Sequence, residues 1–178
     1  MPKSQVHPRL PQTITLKILK TGASNHAFRK LLYDFFTVSS RMEEIRSHIG
    51  SRLQVSGPQF TLLVAVAELE DEKGVSVGRV GEHLHVTGTY ITIESGKLQK
   101  RGYLTKETSA MDRRVTLLSL TPKGVEALQT IAPELQKIND TFFNLGSRSE
   151  FNFLCRMLER LVDNSQRAVD LIRVPRRR

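Results

Sequence analysis

Two clusters of side chains in this sequence have the types and spacing to do chemistry. The first is Thr87-Gly88-Thr89-Tyr90, with Thr92 one turn further on. Hydroxyls gathered at the start of a helix, beside its free N–H groups, suit hydrogen bonds to an anion or to the edges of bases. Lys97, Lys100 and Arg101 follow toward the far end of the same segment, where they can reach phosphates. The second cluster is Asp112-Arg113-Arg114, at the end of a polar stretch, Glu107 to Arg114, between two β-prone runs. Guanidiniums at a hairpin tip are long enough to reach into a neighbouring groove of a duplex. Plainer readings stand beside these. Thr87 also reads as an N-cap alone, Tyr90 as packing, and a basic hairpin tip as a solvated loop.

The elements that must position these residues can be read from period and punctuation. Phe28, Leu31, Leu32, Phe35, Val38, Met42, Ile45 and Ile49 recur at helical spacing, predicting a long helix from about Asn25 that Gly50 stops. Ser56-Gly57-Pro58 opens a second helix to about Asp71, apolar nearly all round and therefore buried. Ser76 caps a short helix through Leu84, and a tight turn leads into a helix from about Thr87 to Arg101, closed by Gly102. Ile91 and Leu98 face its core side. The period then shifts to two: Tyr103–Lys106 and Val115–Leu120 read as strands of a hairpin. Thr121-Pro122 starts a further helix, which Pro133 should bend. Ser147-Arg148-Ser149-Glu150 is a capping box opening a last helix to about Ile172.

A short helix, a turn, a second helix and then a hairpin with a basic tip make a winged helix-turn-helix. The fold class expected is mainly α with a small β-hairpin wing: a winged helix-turn-helix lobe plus a helical dimerisation lobe. The stretch Val75–Gly124 resembles the DNA-binding lobe of MarR-type regulators. The resemblance is carried by Leu98-Gln99-Lys100-Arg101-Gly102-Tyr103-Leu104, by Asp112-Arg113-Arg114-Val115 and by Leu118-Ser119-Leu120-Thr121-Pro122-Lys123-Gly124. With the flanking helices it extends over about Asn25–Ile172. It implies that Asp112 organises the wing and that Arg114 enters a minor groove. Many relatives carry Arg where this chain has Ile93, and Gly96 weakens that helix by about 1 kcal/mol relative to Ala. The resemblance further implies a repressor that binds double-stranded DNA at a pseudo-palindromic operator and answers to a small aromatic carboxylate or phenolic effector.

The organisation expected is an extended N-terminal arm over 1–24 and a first dimerisation helix within 25–55. A winged helix-turn-helix lobe over 56–124, C-terminal dimerisation helices over 125–172 and a basic tail over 173–178 follow. The arm contains a β-prone stretch, Thr13–Leu19, apolar enough at Ile14, Leu16, Ile18 and Leu19 to want burial. The last helix carries an apolar stripe of Phe151, Leu154, Leu158 and Leu161, continued by Ala168 and Ile172. That stripe and the one on the first helix exceed what one lobe can bury, so a homodimer is expected. Arg46 lies near the centre of the first helix's stripe, flanked by Met42 and Ile49. A charge there snorkels, is paired or awaits an anion; Phe36 and Phe60 are the apolar residues placed nearest to such a ligand.

Composition narrows the alternatives. Lys and Arg outnumber Asp and Glu by 27 to 18, a net charge of +9 that points to an anionic partner. Cys155 is the only cysteine, so no internal disulfide forms; it reads as a buried, inert thiol. No apolar run approaches the roughly 20 residues of a spanning helix. Pro2, Pro8 and Pro11 interrupt any signal-like stretch over Met1–Lys20. A cytoplasmic protein with no membrane partner is expected. His83 and His85 are two apart, point to different faces and lack a Cys or carboxylate cluster, which argues against a metal. Neither a nucleophile elbow nor a Gly-rich phosphate loop is present, so no enzyme and no cofactor are expected. The competing readings are a winged-helix protein-interaction module and a constitutive architectural DNA binder.

Overall fold

The computed structural model describes residues 13–20 and 25–173. They fall into two compact units, divided between Thr130 and Ile131. The first unit contains the helix-turn-helix and the sheet. Its long helix α1 spans His26–Arg52 and overruns Gly50 by two residues. Gly50 marks a close approach of two backbones: a Cβ there would lie 2.8 Å from the Val55 carbonyl oxygen. The Gly50 carbonyl accepts from the Leu53 and Val55 amides, which turns the chain into α2, Gly57–Leu69. Ser56 caps α2 as a reciprocal box with Gln59: the Gln59 amide donates to Ser56 Oγ and the Ser56 amide donates to Gln59 Oε1. Leu62, Leu63 and Val66 on α2 are fully buried. Each such side chain stabilises the fold by about 1.5–3 kcal/mol.

A two-residue strand β1 (Val75–Ser76) leads into α3 (Val77–His83), and α4 spans Gly88–Lys100. Strands β2 (Leu104–Thr108) and β3 (Thr116–Leu120) complete an antiparallel sheet of order β1-β3-β2. The hairpin is longer than its apolar pattern suggests. Glu107 and Thr108 pair with Leu117 and Thr116, leaving residues 109–115 as the tip. β1 escapes a reading by period, because Val75 and Ser76 are strand only through pairing with Leu118 and Leu117. Val80, Ile91, Leu98, Leu104 and Leu118 close the core beneath the sheet and helices. Two hydrogen bonds lash the hairpin to the helices: Tyr103 OH donates to the Leu53 carbonyl at 3.0 Å, and the Leu120 amide donates to Glu70 Oε2 at 2.8 Å.

The β-prone stretch Thr13–Leu19 departs from the extended arm expected there. Ile14 is buried, but residues 17–19 wind into a 3-10 turn, and Leu16 and Ile18 remain exposed. The sheet offers this stretch no ladder, so its amides are satisfied locally, Leu19 N–H to Leu16 O and Lys20 N–H to Lys17 O. Residues 1–12 and 21–24 of the arm, and 174–178 of the basic tail, lie outside the described residues.

α5 spans Pro122–Phe142 and stays helical through Pro133. In the second unit it is followed by α6, Arg148–Arg173. Ser147 caps α6 by accepting from the Glu150 amide, and its hydroxyl donates to the Glu150 carboxylate. No residue of α6 is buried, and Phe151, Leu158 and Leu161 are exposed on its stripe. Cys155 is half-buried, where a buried thiol was expected. Among the described residues, no helix is long and apolar enough to cross a membrane.

Candidate nucleic-acid interface

α4 presents its hydroxyl cluster as an N-terminus fixed by its own cap. Thr87 Oγ1 accepts from the Tyr90 amide at 3.2 Å, which leaves the hydroxyl proton free to donate outward. Thr92 is less available. Its hydroxyl donates to the Gly88 carbonyl at 2.9 Å, and Lys106 Nζ on β2 donates to its own carbonyl at 3.0 Å. Thr92 therefore lies on the flank of α4 that meets the wing strand. Ile91, Ser95 and Leu98 are buried and define the inner face. At about 100° per residue, the direction opposite them falls on Thr89, Ile93 and Lys100, with Tyr90 and Lys97 roughly 60° to one side. Tyr90 is 37% exposed.

α4 is held on α2 by a polar joint. Gln59 Nε2 donates to Glu94 Oε2 at 2.9 Å, and Lys97 Nζ donates to Glu94 Oε1 at 2.7 Å. The Lys97 hydrogen bond holds the Glu94 carboxyl below its ordinary pKa against the opposing pull of desolvation; Gln59 adds to the same effect. Lys97, expected as a phosphate contact, is thus half-committed inside the protein. Arg101 ends the helix, and its carbonyl accepts from Lys123 Nζ at 2.7 Å.

The wing tip is ordered by Asp112 and Ser109. Asp112 Oδ1 accepts from the Arg114 amide at 3.0 Å and from Arg114 Nε at 3.1 Å, while Oδ2 accepts from Nη2 at 3.1 Å. This is a fork-to-fork pair that fixes the plane of the guanidinium. The side-chain bonds from Arg114, then its backbone bond, hold the Asp112 carboxyl below its ordinary range. The Arg114 side chain nevertheless remains 90% exposed. Arg113 is exposed beside it. Ser109 Oγ accepts from the Met111 and Asp112 amides, closing the turn from the other side. Sequence reasoning passed over Ser109 and the Gln59–Glu94 joint. The first was legible as a Ser that bonds amides two and three residues on. The second had no local signal, its partners being thirty-five residues apart.

The remaining expected site residues are scattered. Arg46 forms an ion pair with Glu43, and its Nη1 lies 3.4 Å from Thr61 Oγ1. Its Nε is buried and has no hydrogen-bond partner among the described residues. Phe60 is buried on α2, next in sequence to Thr61. Phe36 is 66% exposed on α1. Ten residues from Arg46, it stands roughly 15 Å away along the helix axis, so the fold does not bring these two together. Phe151, Leu154, Leu158 and Leu161 follow one another along α6. Leu154 is half-buried there. His83 Nε2 lies 3.7 Å from Glu68 Oε2, and among the described residues no group of three potential ligands gathers to hold a metal.

Comparison with known proteins fits this geometry. Residues 53–115, from the end of α1 through the wing tip, match the profile of the MarR family. The HTH-type transcriptional regulator MhqR of Bacillus subtilis (strain 168) is 28% identical over 138 residues, covering 77% of this chain and 94% of that regulator. Two solved structures share the fold. The S. aureus MepR–DNA complex superposes with a TM-score of 0.65 at 16% identity, over 74% of this chain and 96% of that one. Bordetella bronchiseptica BpsR, described for regulation of its DNA binding by 6-hydroxynicotinic acid, gives 0.61 at 19% identity, over 74% and 91%. A capped helix set opposite a buried core, a wing whose arginine is clamped by an aspartate and these matches agree: the chain has the winged helix-turn-helix fold, and over residues 53–115 it is similar to the MarR family of transcriptional regulators.

Proposed function

We propose that the chain is a homodimeric repressor that a small aromatic carboxylate or phenolic compound releases from a pseudo-palindromic operator. In this reading Arg114 enters the minor groove, Thr87, Thr89 and Tyr90 meet the major groove, and Lys97 and Arg101 touch phosphates. Thr92 and Arg113 lie beside these contacts. The dimer holds two such surfaces about one helical turn of DNA apart. Its support is the apolar stripe of α6 and the exposed Leu31, Phe35, Val38 and Met42 on α1. BpsR, similar in fold, has its DNA binding regulated by an aromatic acid.

The observation that carries the effector is the Arg46 guanidinium. A buried N–H left without an acceptor costs about 1–3 kcal/mol, and among the described residues Arg46 Nε is such a group. An incoming carboxylate beside Thr61 and Phe60 would supply the acceptor and compete with Glu43 for the guanidinium. Calorimetric titration with 6-hydroxynicotinic acid and benzoate should show saturable binding that weakens in Arg46→Ala, and the same compounds should release labelled operator. Absence of binding by either acid would leave a constitutive DNA binder. Sedimentation should show a dimer at micromolar concentration, and Leu154→Asp with Leu158→Asp should give monomers that no longer hold operator.

A further inference from the structure

Ile93 occupies a place on α4 that its chemistry does not explain. It is 55% exposed. From the buried Ile91 it is rotated by roughly 200°, so it points straight away from the core. Burial elsewhere in the unit cannot account for an isoleucine at this position, and a β-branched residue adds nothing to an exposed helix turn. Its neighbours on the outward face are Thr89 one turn before, Gly96 and Lys97 one turn after, and Tyr90 to one side. Among the described residues, nothing stands within 4 Å of where a Cβ on Gly96 would be. The surface beside Ile93 is therefore low and open, bordered by the cations Lys97 and Lys100.

A side chain at the centre of the outward face of a groove-entering helix meets base edges. Ile93 has no donor or acceptor. Set against guanine, adenine or cytosine it would take polar atoms from water and pair none of them. Thymine alone presents an apolar group in the major groove, its 5-methyl. We propose that Ile93, with the ring of Tyr90 beside it, reads thymine methyls, and that Gly96 lets the helix settle close enough for that contact. The specificity of α4 is then built in part on shape and apolar burial, with Thr87 and Thr89 supplying hydrogen bonds at its N-terminus. This inference rests on α4 being the helix that enters the groove.

The test uses the full-length chain and a duplex selected from random sequence by the protein itself. Each thymine of the selected half-site is replaced in turn by deoxyuridine, which keeps every hydrogen-bonding atom and removes only the methyl. At one or two positions per half-site the affinity should fall by roughly fourfold per methyl, the loss expected for one buried carbon. Ile93→Ala should bind the thymine duplex more weakly and no longer distinguish thymine from deoxyuridine at one of these positions. Because Ile93 is exposed, its melting temperature should match that of the native chain. Ile93→Arg should shift the preferred base there toward guanine. If native protein binds all deoxyuridine duplexes as tightly as the thymine duplex, or Ile93→Ala keeps the full discrimination, the assignment is overturned. Failure to bind any duplex in a salt-dependent way would instead remove the DNA-binding premise, and the assignment with it.

Discussion

Glu94→Ala cuts the joint between α2 and α4 and leaves two donors without their acceptor. They are not equivalent. The Gln59 side chain is buried, and Nε2 loses its Glu94 partner. A buried amide left in that state costs about 1–3 kcal/mol. Lys97 is more than half exposed and returns to water, so its pairing was worth only about 0.3–0.5 kcal/mol. The better helix propensity of alanine offsets a few tenths, roughly, of that total. The net cost is about 1–3 kcal/mol, or roughly 2–10 °C in melting temperature for a chain of this size. The pH dependence has a definite sign. The folded-state pKa of Glu94 lies below its ordinary value. Its contribution is therefore complete above the unfolded pKa of about 4.3 and is lost as pH falls through the folded value. Native and variant melting curves should differ most at pH 7, and the difference should shrink as pH falls through the folded value. DNA binding gives a second readout: with Lys97 free for a phosphate, the salt dependence should steepen by up to about 0.9 in log–log slope. A variant that melts within a degree of native at pH 7, or that keeps its full deficit in acid, would refute the joint as described.

Arg114→Ala should weaken operator binding by about 1–3 kcal/mol and relax preference at A·T-rich flanks. Asp112→Ala should move affinity the same way despite removing a negative charge, because the guanidinium loses its clamp; tighter binding in an anisotropy titration would mean that Asp112 acts only by repulsion. Two glycine replacements should diverge in chemical denaturation. At Gly124 a Cβ would fall 2.3 Å from the Tyr103 carbonyl oxygen, a backbone atom, so Gly124→Ala should destabilise by at least about 1–3 kcal/mol. Gly96→Ala meets nothing within 4 Å among the described residues and should gain up to about 1 kcal/mol, while operator affinity falls if the helix seats there.

What the sequence disclosed and what it withheld divide along the range of the interactions involved. Caps are local, so Ser56, Ser76, Thr87 and Ser147 could be placed from one turn of sequence, and each accepts the amide expected of it. The order of elements around the wing was legible for the same reason. β1 was not, since two residues carry no period and become strand only opposite Leu117 and Leu118. The outer rungs of the hairpin were hidden because Glu107 and Thr108 are polar and pair through backbone alone. The Thr13–Leu19 stretch misled in the opposite sense: its alternation matches a strand, but alternation without a neighbouring edge confers no ladder. At the site, the Arg46–Glu43 pair was readable from its spacing of three, as was Lys97–Glu94. The buried end of each pair was not. That Arg46 Nε faces no acceptor among the described residues and that Glu94 reaches across to Gln59 depend on how α1 and α4 pack against α2. The same holds for Ile93. An isoleucine inside a helix reads as core until the buried face is fixed by Ile91, Ser95 and Leu98, and only then does its outward direction become a statement about what the helix binds.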